Sequence, residues 1–352
     1  MTEGHINTLL EAIPLPSVLI GRDERIQGAN ARAVVLLGQG IQGRHFITAI
    51  RQPAVLDTIE ACFNDHNPRQ SRYLSSQDAQ DTTFQVTCSA VETDEGISVL
   101  LCFEDITPLE QVGQMRRDFV ANVSHELRSP LTALLGFIET LQGPARNDPA
   151  ATDRFLSTMQ NEASRMERLV RDLLSLSRVE AQERVRPTKP IDLVAILRTV
   201  IHANAPLLKD AGVTCTLEVD MDNLELPGDA DQLQQVFTNL IENAVKYGGS
   251  NNAIRMSIHV EDDHPALRGP CAIVTVADQG PGIDPVHIPR LTERFYRIDN
   301  HRSREMGGTG LGLAIVKHVV SRHRGRLKIQ SESGQGSQFQ VILPRELPLD
   351  AS

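Results

Sequence analysis

The chain has 352 residues, 40% of them hydrophobic and 23% charged, with a formal net charge of −10. That length allows two or three domains with real cores, and the acidic balance excludes a nucleic-acid surface, which needs clustered cations. The five cysteines (Cys62, Cys88, Cys102, Cys215 and Cys271) lack CxxC spacing and fit free thiols in a reducing compartment, not a disulfide frame or zinc site.

Near the start, "IPLPSVLIG" is broken by prolines and falls short of the ~20 apolar residues of a membrane span. No signal-peptide pattern precedes it. A cytoplasmic location without an intrinsic span is therefore expected, any membrane contact passing through a partner. From Leu9 to about Thr107 the pattern is mixed. "SVLIG" and "IQGAN" read as short strands around a charged turn, "ARAVVLLG" and "PAVLDTIEACF" as helices, and "SRYLSS", "TTFQVTCSAV" and "GISVLLCFEDIT" as three strands. Together they predict an α+β module.

At "TPLEQV" the character changes, and Pro108 suits the first turn of a new helix running to about Gln142. Val112, Met115, Phe119, Val123, Leu127, Leu134, Ile138 and Leu141 fall in one arc, and His125 points roughly 170° from its middle. Asp118, Asn122 and Ser129 lie near His125. Taken alone, such a histidine belongs to a solvated polar face. "QGPARNDP" breaks the helix, and a second amphipathic run carries Phe155, Met159, Met166, Leu169, Leu173 and Leu176 on one stripe. One antiparallel hairpin buries such stripes poorly, so two copies pairing into a four-helix bundle is the expected solution. A plain dimerisation coiled coil explains the stripes equally well but not His125.

"RPTKP" (Arg186 to Pro190) reads as a linker. Beyond it the pattern predicts a helix over Ile191 to Leu208, a strand over Val213 to Val219 and a helix over Asp231 to Tyr247. Strands at Ile254 to Val260 and Ala272 to Ala277, a glycine-rich region, a helix from Gly310 to about Arg322, and strands "RLKIQSES" and "SQFQVILP" follow. Helices and a largely antiparallel sheet in separate layers again read as α+β.

Three clusters in this last part bear on chemistry. In "NLIENAVKYG", Asn239, Asn243 and Lys246 share a helix face, where amide oxygens suit Mg²⁺ and an ammonium can meet a phosphate. In "DQGPGI", a strand ends at Asp278 before a turn whose glycines admit a planar ligand, and the carboxylate can accept from an exocyclic amine. In "GGTGLGLAIVKH", glycines lead into an apolar helix whose free N–H groups and dipole suit a polyphosphate. Each is weak alone: a polar helix surface, a turn, and a GxG spacing that does not match GxxxxGK[ST]. "SGQGSQF" adds a glycine-rich turn between the last strands.

The ordered set "SHELRSPL", "NLIENAVKY", "DQGPGI", "RFYR", "GGTGLGLAIVK", "GQGSQF" resembles a two-component sensor histidine kinase over about Pro108 to Pro344. The first hundred residues resemble a PAS sensory module. Within the family, "RRDFVANVSHELRSPLTAL" and "FYRIDNHRSREMGGTGLGLAIVKH" are most similar to phosphate-regulon sensors. The resemblance implies a multidomain α+β chain: a PAS-like domain over 1–107, a dimerisation and phosphotransfer hairpin over 108–185, an α/β-sandwich ATP-binding domain over 186–347, and a tail over 348–352.

It also implies roles. His125 would accept the γ-phosphate of ATP through a ring nitrogen, with Glu126 as base and orienting group. Asn243 would hold Mg²⁺ with Asn239 close by, and Lys246 and Arg297 would offset charge on the transferring phosphate. Tyr247 and Ile283 would flank the adenine while Asp278 reads its amine. Gly280, Gly282, Gly308, Thr309, Gly310, Leu311, Gly312 and Leu313 would border the nucleotide, under a lid over roughly Ile298 to Gly307. His125 would then face solvent because an ATP domain and later a partner must both reach it.

The implied partners are a second copy of the chain and a PhoB-like response regulator. For a phosphate-regulon sensor they include a phosphate transporter complex with its accessory regulator. The position four after the histidine, often threonine or asparagine in strong phosphatases of the family, is Ser129, which keeps a hydroxyl. Two other classes share the nucleotide fold: a mechanical ATPase, disfavoured by the His-Glu helix, and a non-catalytic adaptor, disfavoured by intact His125, Asn243 and Asp278.

Overall fold

The computed structural model describes residues 3–77, 80–93, 96–248, 253–298 and 308–346. The chain divides into two compact units, Met1–Ala121 and Asn122–Ser352.

The first unit begins with α1 (Glu3–Glu11), β1 (Ser17–Ile20), β2 (Ile26–Ala29), α2 (Ala31–Leu37), α3 (Phe46–Ala49) and α4 (Pro53–Asp65). It continues with β3 (Arg69–Gln77), β4 (Gln80–Thr93) and β5 (Gly96–Asp105). The two strands, two helices and three strands expected from the pattern are all present. α1 and α3 are additions, α3 being a single turn too short for a period to register. The sheet order is β2-β1-β5-β4-β3, with every neighbouring pair antiparallel. β1 lies between two strands, and all four of its residues are buried. Ile20, Phe46, Ile59 and Phe103 anchor the core. Buried Asn30 caps α2 by accepting from Ala33 N at 2.9 Å, and it accepts from Ser17 N at 3.0 Å. One amide thus satisfies both a helix start and the approach to β1.

A long helix, α5 (Thr107–Gln142), leaves this sheet. Its first turn is tied down where Thr107 Oγ1 accepts from Thr83 N at 2.8 Å and Arg72 meets Glu110 at 2.9 Å.

In the second unit, α5 turns back into α6 (Pro149–Gln182), which starts where Asp148 accepts from Ala151 N at 3.0 Å. The α6 stripe faces inward, with Leu169 and Leu176 buried and the Phe155 ring 5.4 Å from that of Phe137. The α5 arc is only partly covered: Phe119, Val123, Leu127, Leu134 and Leu141 are half-buried, but Met115 and Ile138 are exposed. Leu131, Leu135, Ile138, Leu156, Val170 and Leu174 stay exposed on the same helices.

After the linker come β6 (Pro190–Asp192), α7 (Leu193–Ala203), α8 (Ala205–Ala211), β7 (Thr214–Glu218) and β8 (Glu225–Pro227). Here the single helix expected over Ile191 to Leu208 is corrected. Ile191 sits in β6, Asp192 caps α7, and Pro206 restarts the chain as α8 beyond Asn204. The remainder is α9 (Ala230–Tyr247), β9 (Ala253–His264), β10 (Gly269–Asp278), a 3₁₀ turn at Ile288–Arg290, α10 (Gly312–Arg322), β11 (Arg326–Ser331) and β12 (Ser337–Pro344). The sheet order is β11-β12-β10-β9-β7, antiparallel except for the β7–β9 pair. α9 packs on α7, α10, β9 and β10 through Leu233, Val236, Phe237, Leu240, Ile241 and Ala244, the three-and-four spacing of a single apolar stripe. This leaves the polar stripe of α9 and the end of β10 on the side where the motifs gather.

Candidate functional site

His125 is exposed on α5, on the side away from the inward stripe, as the helical period requires. Two neighbours loosen the helix locally. Pro130 has no N–H to return to the Glu126 carbonyl. Ser129 Oγ donates to the His125 carbonyl at 3.2 Å. Glu126, about 100° round the helix from His125, is largely buried. Its Oε2 accepts from Arg165 Nη2 of α6 at 2.8 Å and from Arg297 Nη2 at 3.2 Å.

On α9, Asn239, Asn243 and Lys246 are half-buried on one side of the helix, and Tyr247 at its end is exposed. Asn239 Nδ2 donates to Gly312 O at 3.4 Å, tying α9 to the start of α10. Lys246 Nζ bonds Glu242 Oε2 at 2.8 Å, one turn back.

β10 delivers Asp278 to its end, where burial pushes the carboxyl above its ordinary range against the opposing pull of the Gly280 and Ser337 N–H groups. A partly desolvated carboxylate is a strong acceptor for an amine. Close backbone approaches account for the glycines beside it. A Cβ on Gly280 would lie 2.6 Å from Gly248 Cα, and one on Gly282 (φ +69) 1.9 Å from Glu332 O. Ile283 is fixed in the same turn by Ser331 Oγ, which accepts from its N–H at 2.8 Å.

The third cluster converges from another direction. Gly308, Thr309 and Gly310 lead through buried Leu311 into α10, which starts at Gly312 and Leu313. Gly310 has φ +72 and its carbonyl accepts from Phe295 N at 2.8 Å, which brings Arg297 alongside. The Arg297 side chain is 4% exposed, and its Nε is buried without a hydrogen-bond partner. Burial disfavours its charge, and Glu126 offsets that. The lid expected from about Ile298 to Gly307 lies, beyond Ile298, outside the described residues.

The predicted residues therefore fall into two groups within one compact unit. The α9 face meets the Gly308–Leu313 segment at Gly312 and the Asp278 turn at Gly248, beside the end of the central strand β10. His125 and Glu126 lie on the hairpin, joined to that group through Arg297. These residues fit a nucleotide. A desolvated carboxylate suits an amine, a helix N-terminus and a lysine suit phosphates, and the unpaired Arg297 Nε is a donor in need of an acceptor. Among the described residues no group of three or more His, Cys, Asp or Glu could hold a metal ion. Mg²⁺ does not require one, since it keeps waters and phosphate oxygens beside one or two protein oxygens, and the Asn243 amide can be one.

Sequence reasoning missed two hairpin residues. Arg165 meets Glu126, and Asp172 accepts from Thr309 Oγ1 at 2.7 Å. They stand seven apart and flank buried Leu169, so they share its face of α6. Polar residues at heptad spacing along an apolar stripe were the available signal.

The chain matches the family described as His Kinase A (phospho-acceptor) domain over residues 115–182, and that described as histidine kinase-, DNA gyrase B-, and HSP90-like ATPase over residues 228–347. It is 43% identical over 241 residues to the phosphate regulon sensor protein PhoR of Pseudomonas aeruginosa, covering 68% of this chain and 52% of that one. It is 34% identical over 361 residues to sensor protein kinase WalK of Staphylococcus saprophyticus, covering 98% of this chain and 57% of that one. Thus it spans about half the length of these two relatives. A WalK chain from Staphylococcus aureus is 33% identical over 359 residues, covering 98% of this chain and 84% of that one. Among solved structures, histidine kinase ThkA in complex with response regulator protein TrrA aligns with a TM-score of 0.53 at 21% identity. That alignment covers 96% of this chain and 98% of that one, a likeness of fold alone.

Proposed function

The chain belongs to the two-component sensor histidine kinases, and from that premise we propose that it phosphorylates His125 with ATP and passes the phosphoryl group to a response-regulator aspartate. The imidazole nitrogen attacks the γ-phosphorus, the bond to the β–γ bridging oxygen breaks, and ADP leaves. Glu126 takes the imidazole proton and holds the ring. Lys246 and Arg297 face the charge that gathers on the transferring group, and the N-terminal end of α10 takes the remaining phosphate charge. Asp278 accepts from the adenine amine between Tyr247 and Ile283. Asn243, with Asn239 near it, would hold Mg²⁺, which would supply positive charge against the repulsion between the phosphates and the nucleophile.

The observation carrying this reading is that one compact unit holds an exposed His125 and, at its neighbour Glu126, a guanidinium from beside the glycine-rich segment. Incubation with γ-labelled ATP tests it. Acid-labile, alkali-stable label on the protein supports the kinase; released phosphate alone indicates an ATPase; neither indicates an adaptor.

The finer reading follows from the same premise. Residues 1–107 act as a PAS-like sensor, supported by the β2-β1-β5-β4-β3 order with its helices between β2 and β3. Residues 108–185 form the phosphotransfer hairpin, residues 186–347 the ATP domain and 348–352 a tail. Two copies pair through the exposed apolar residues of α5 and α6. Ser129 serves dephosphorylation of the regulator. No helix among the described residues is long and apolar enough to cross a membrane. We place the catalysis in the cytoplasm, where its ATP is. The relation to PhoR supports phosphate-starvation signalling with a PhoB-like regulator, a phosphate transporter complex and its accessory regulator. A second reading, another stimulus pathway, is favoured by the WalK relatives, whose similarity covers 98% of the chain. Phosphotransfer to purified candidate regulators separates the two.

A further inference from the structure

Two carboxylates of the hairpin hold groups that the kinase reading assigns to the nucleotide. Thr309 Oγ1 donates its single proton to Asp172 Oδ2 at 2.7 Å, while accepting from Leu311 N at 3.3 Å. With that proton committed, the hydroxyl has none to offer a phosphate. Arg297 donates to Glu126 at 3.2 Å and is almost fully covered. Asp172 is also within electrostatic reach of Lys246 and Glu242 on α9. Burial pushes its carboxyl above the ordinary range, with Glu242 adding to the rise, against the opposing pull of Thr309, Lys246 and Arg171.

The anchor for this arrangement lies farther along α6 and does not involve the motif glycines. Arg294 meets Glu180 at 2.5 Å, His318 lies 3.3 Å from Glu183 and 3.5 Å from Glu180, and Ser321 Oγ donates to Glu183 at 2.9 Å. These contacts set α6 against α10 and leave Asp172 opposite Thr309.

We propose that Asp172 is an internal competitor for the nucleotide's phosphates, so that hairpin docking at Thr309 and nucleotide binding there oppose each other. The proposal rests on the kinase reading of the site. The Asp172 carboxyl already holds the Thr309 hydroxyl, and a phosphate cannot take that donor without displacing it. Repulsion between Asp172 and the phosphates adds to the opposition, little screened because the site is partly buried. Linkage makes the effect reciprocal: bound nucleotide loosens the hairpin contact, and the contact lowers nucleotide affinity by the same factor. Glu126 contributes similarly through Arg297, but its proposed catalytic role makes it the poorer probe.

The test is calorimetric titration of the full chain with Mg²⁺ and β,γ-imido-ATP, comparing wild type, Asp172→Asn and Asp172→Ala. Asp172→Asn removes the charge and keeps an acceptor for Thr309. It should bind about fivefold or more tightly than wild type. Asp172→Ala also frees the hydroxyl and should bind more tightly still. In wild type, the analogue should speed amide exchange over residues 165–183. Variants that stay folded by thermal melting yet bind equally or more weakly would overturn the competition while leaving the kinase reading intact. If wild type and variants alike failed to bind the analogue, both readings would fall.

Discussion

Arg297 Nη2 lies 3.2 Å from Glu126 Oε2, so a cation from beside the glycine-rich segment meets the carboxylate next to His125. Arg165 holds the same oxygen at 2.8 Å. On the proposed mechanism Arg297 leaves for a phosphate and Arg165 keeps the carboxylate partnered. Arg297→Ala should therefore lower the autophosphorylation rate on the order of 10²–10³-fold, as loss of a donor to developing charge does. Single-turnover labelling checks this, and a wild-type rate would remove Arg297 from the mechanism.

Binding and chemistry should separate cleanly. His125→Ala should take up no label yet bind ATP like wild type, because its imidazole is exposed on α5 while the groups proposed to hold the nucleotide lie on α9, β10 and α10. Asn243→Ala should weaken Mg-ATP binding by removing an oxygen ligand. Label retained by His125→Ala would show that another residue is the acceptor.

The hairpin should dimerise through the residues left exposed, not through the stripe already covered within one chain. Leu135→Asp or Leu174→Asp should lower dimer affinity without unfolding the protein, since both side chains are more than half exposed. Leu169→Asp should instead destabilise the fold by several kcal/mol, because that side chain is buried. Sedimentation combined with thermal melting distinguishes the two classes.

The stability of the second unit should fall in mild acid through His323. Its Nε2 must accept from Asp229 N at 3.0 Å, so Nδ1 carries the proton and donates to Val319 O at 2.8 Å. Both nitrogens are used in the neutral ring, and burial lowers its pKa below the ordinary histidine value. Protonation would set a second N–H against that of Asp229. The stabilisation is thus complete above pH of about 6.5 and is lost as pH falls through the lowered value. Melting at pH 7.5 and 5.5 should show the drop, and His323→Ala should melt lower at pH 7.5 with a smaller further drop. An equal drop in both proteins would point to other groups.

Ser129 lies one turn beyond His125, and its hydroxyl donates to the His125 carbonyl at 3.2 Å, which leaves its lone pairs to accept from a water. Ser129→Ala should keep autophosphorylation and transfer but lose most regulator dephosphorylation, while Ser129→Thr keeps it. Decay of regulator phosphate in the presence of ADP gives the answer. Equal decay for wild type and Ser129→Ala would make the hydroxyl mere surface.

Much of this protein is legible in its sequence because its signals are local. A period of 3.6 set the inward stripe of α6 and turned His125 outward, while on α5 Met115 and Ile138 of the expected arc stay exposed. Alternation and turn residues marked every strand of the two five-stranded sheets. Where a signal was only three residues long, as in β6 and β8, or hidden by a capping aspartate, as at Asp192, the boundary was missed.

The glycines needed both levels. Their motif marks a close approach, but only the fold identifies Glu332 O as what Gly282 must avoid. The sequence by itself determined which residue types gather: an outward-facing histidine, amides and a lysine on one helix, an aspartate at a strand end. What tertiary structure decided was their partners, Arg297 with Glu126 and Thr309 with Asp172, residues 171 and 137 positions apart. Pairings across such distances depend on how helices dock, and helical period fixes only the face a residue presents, not what that face meets.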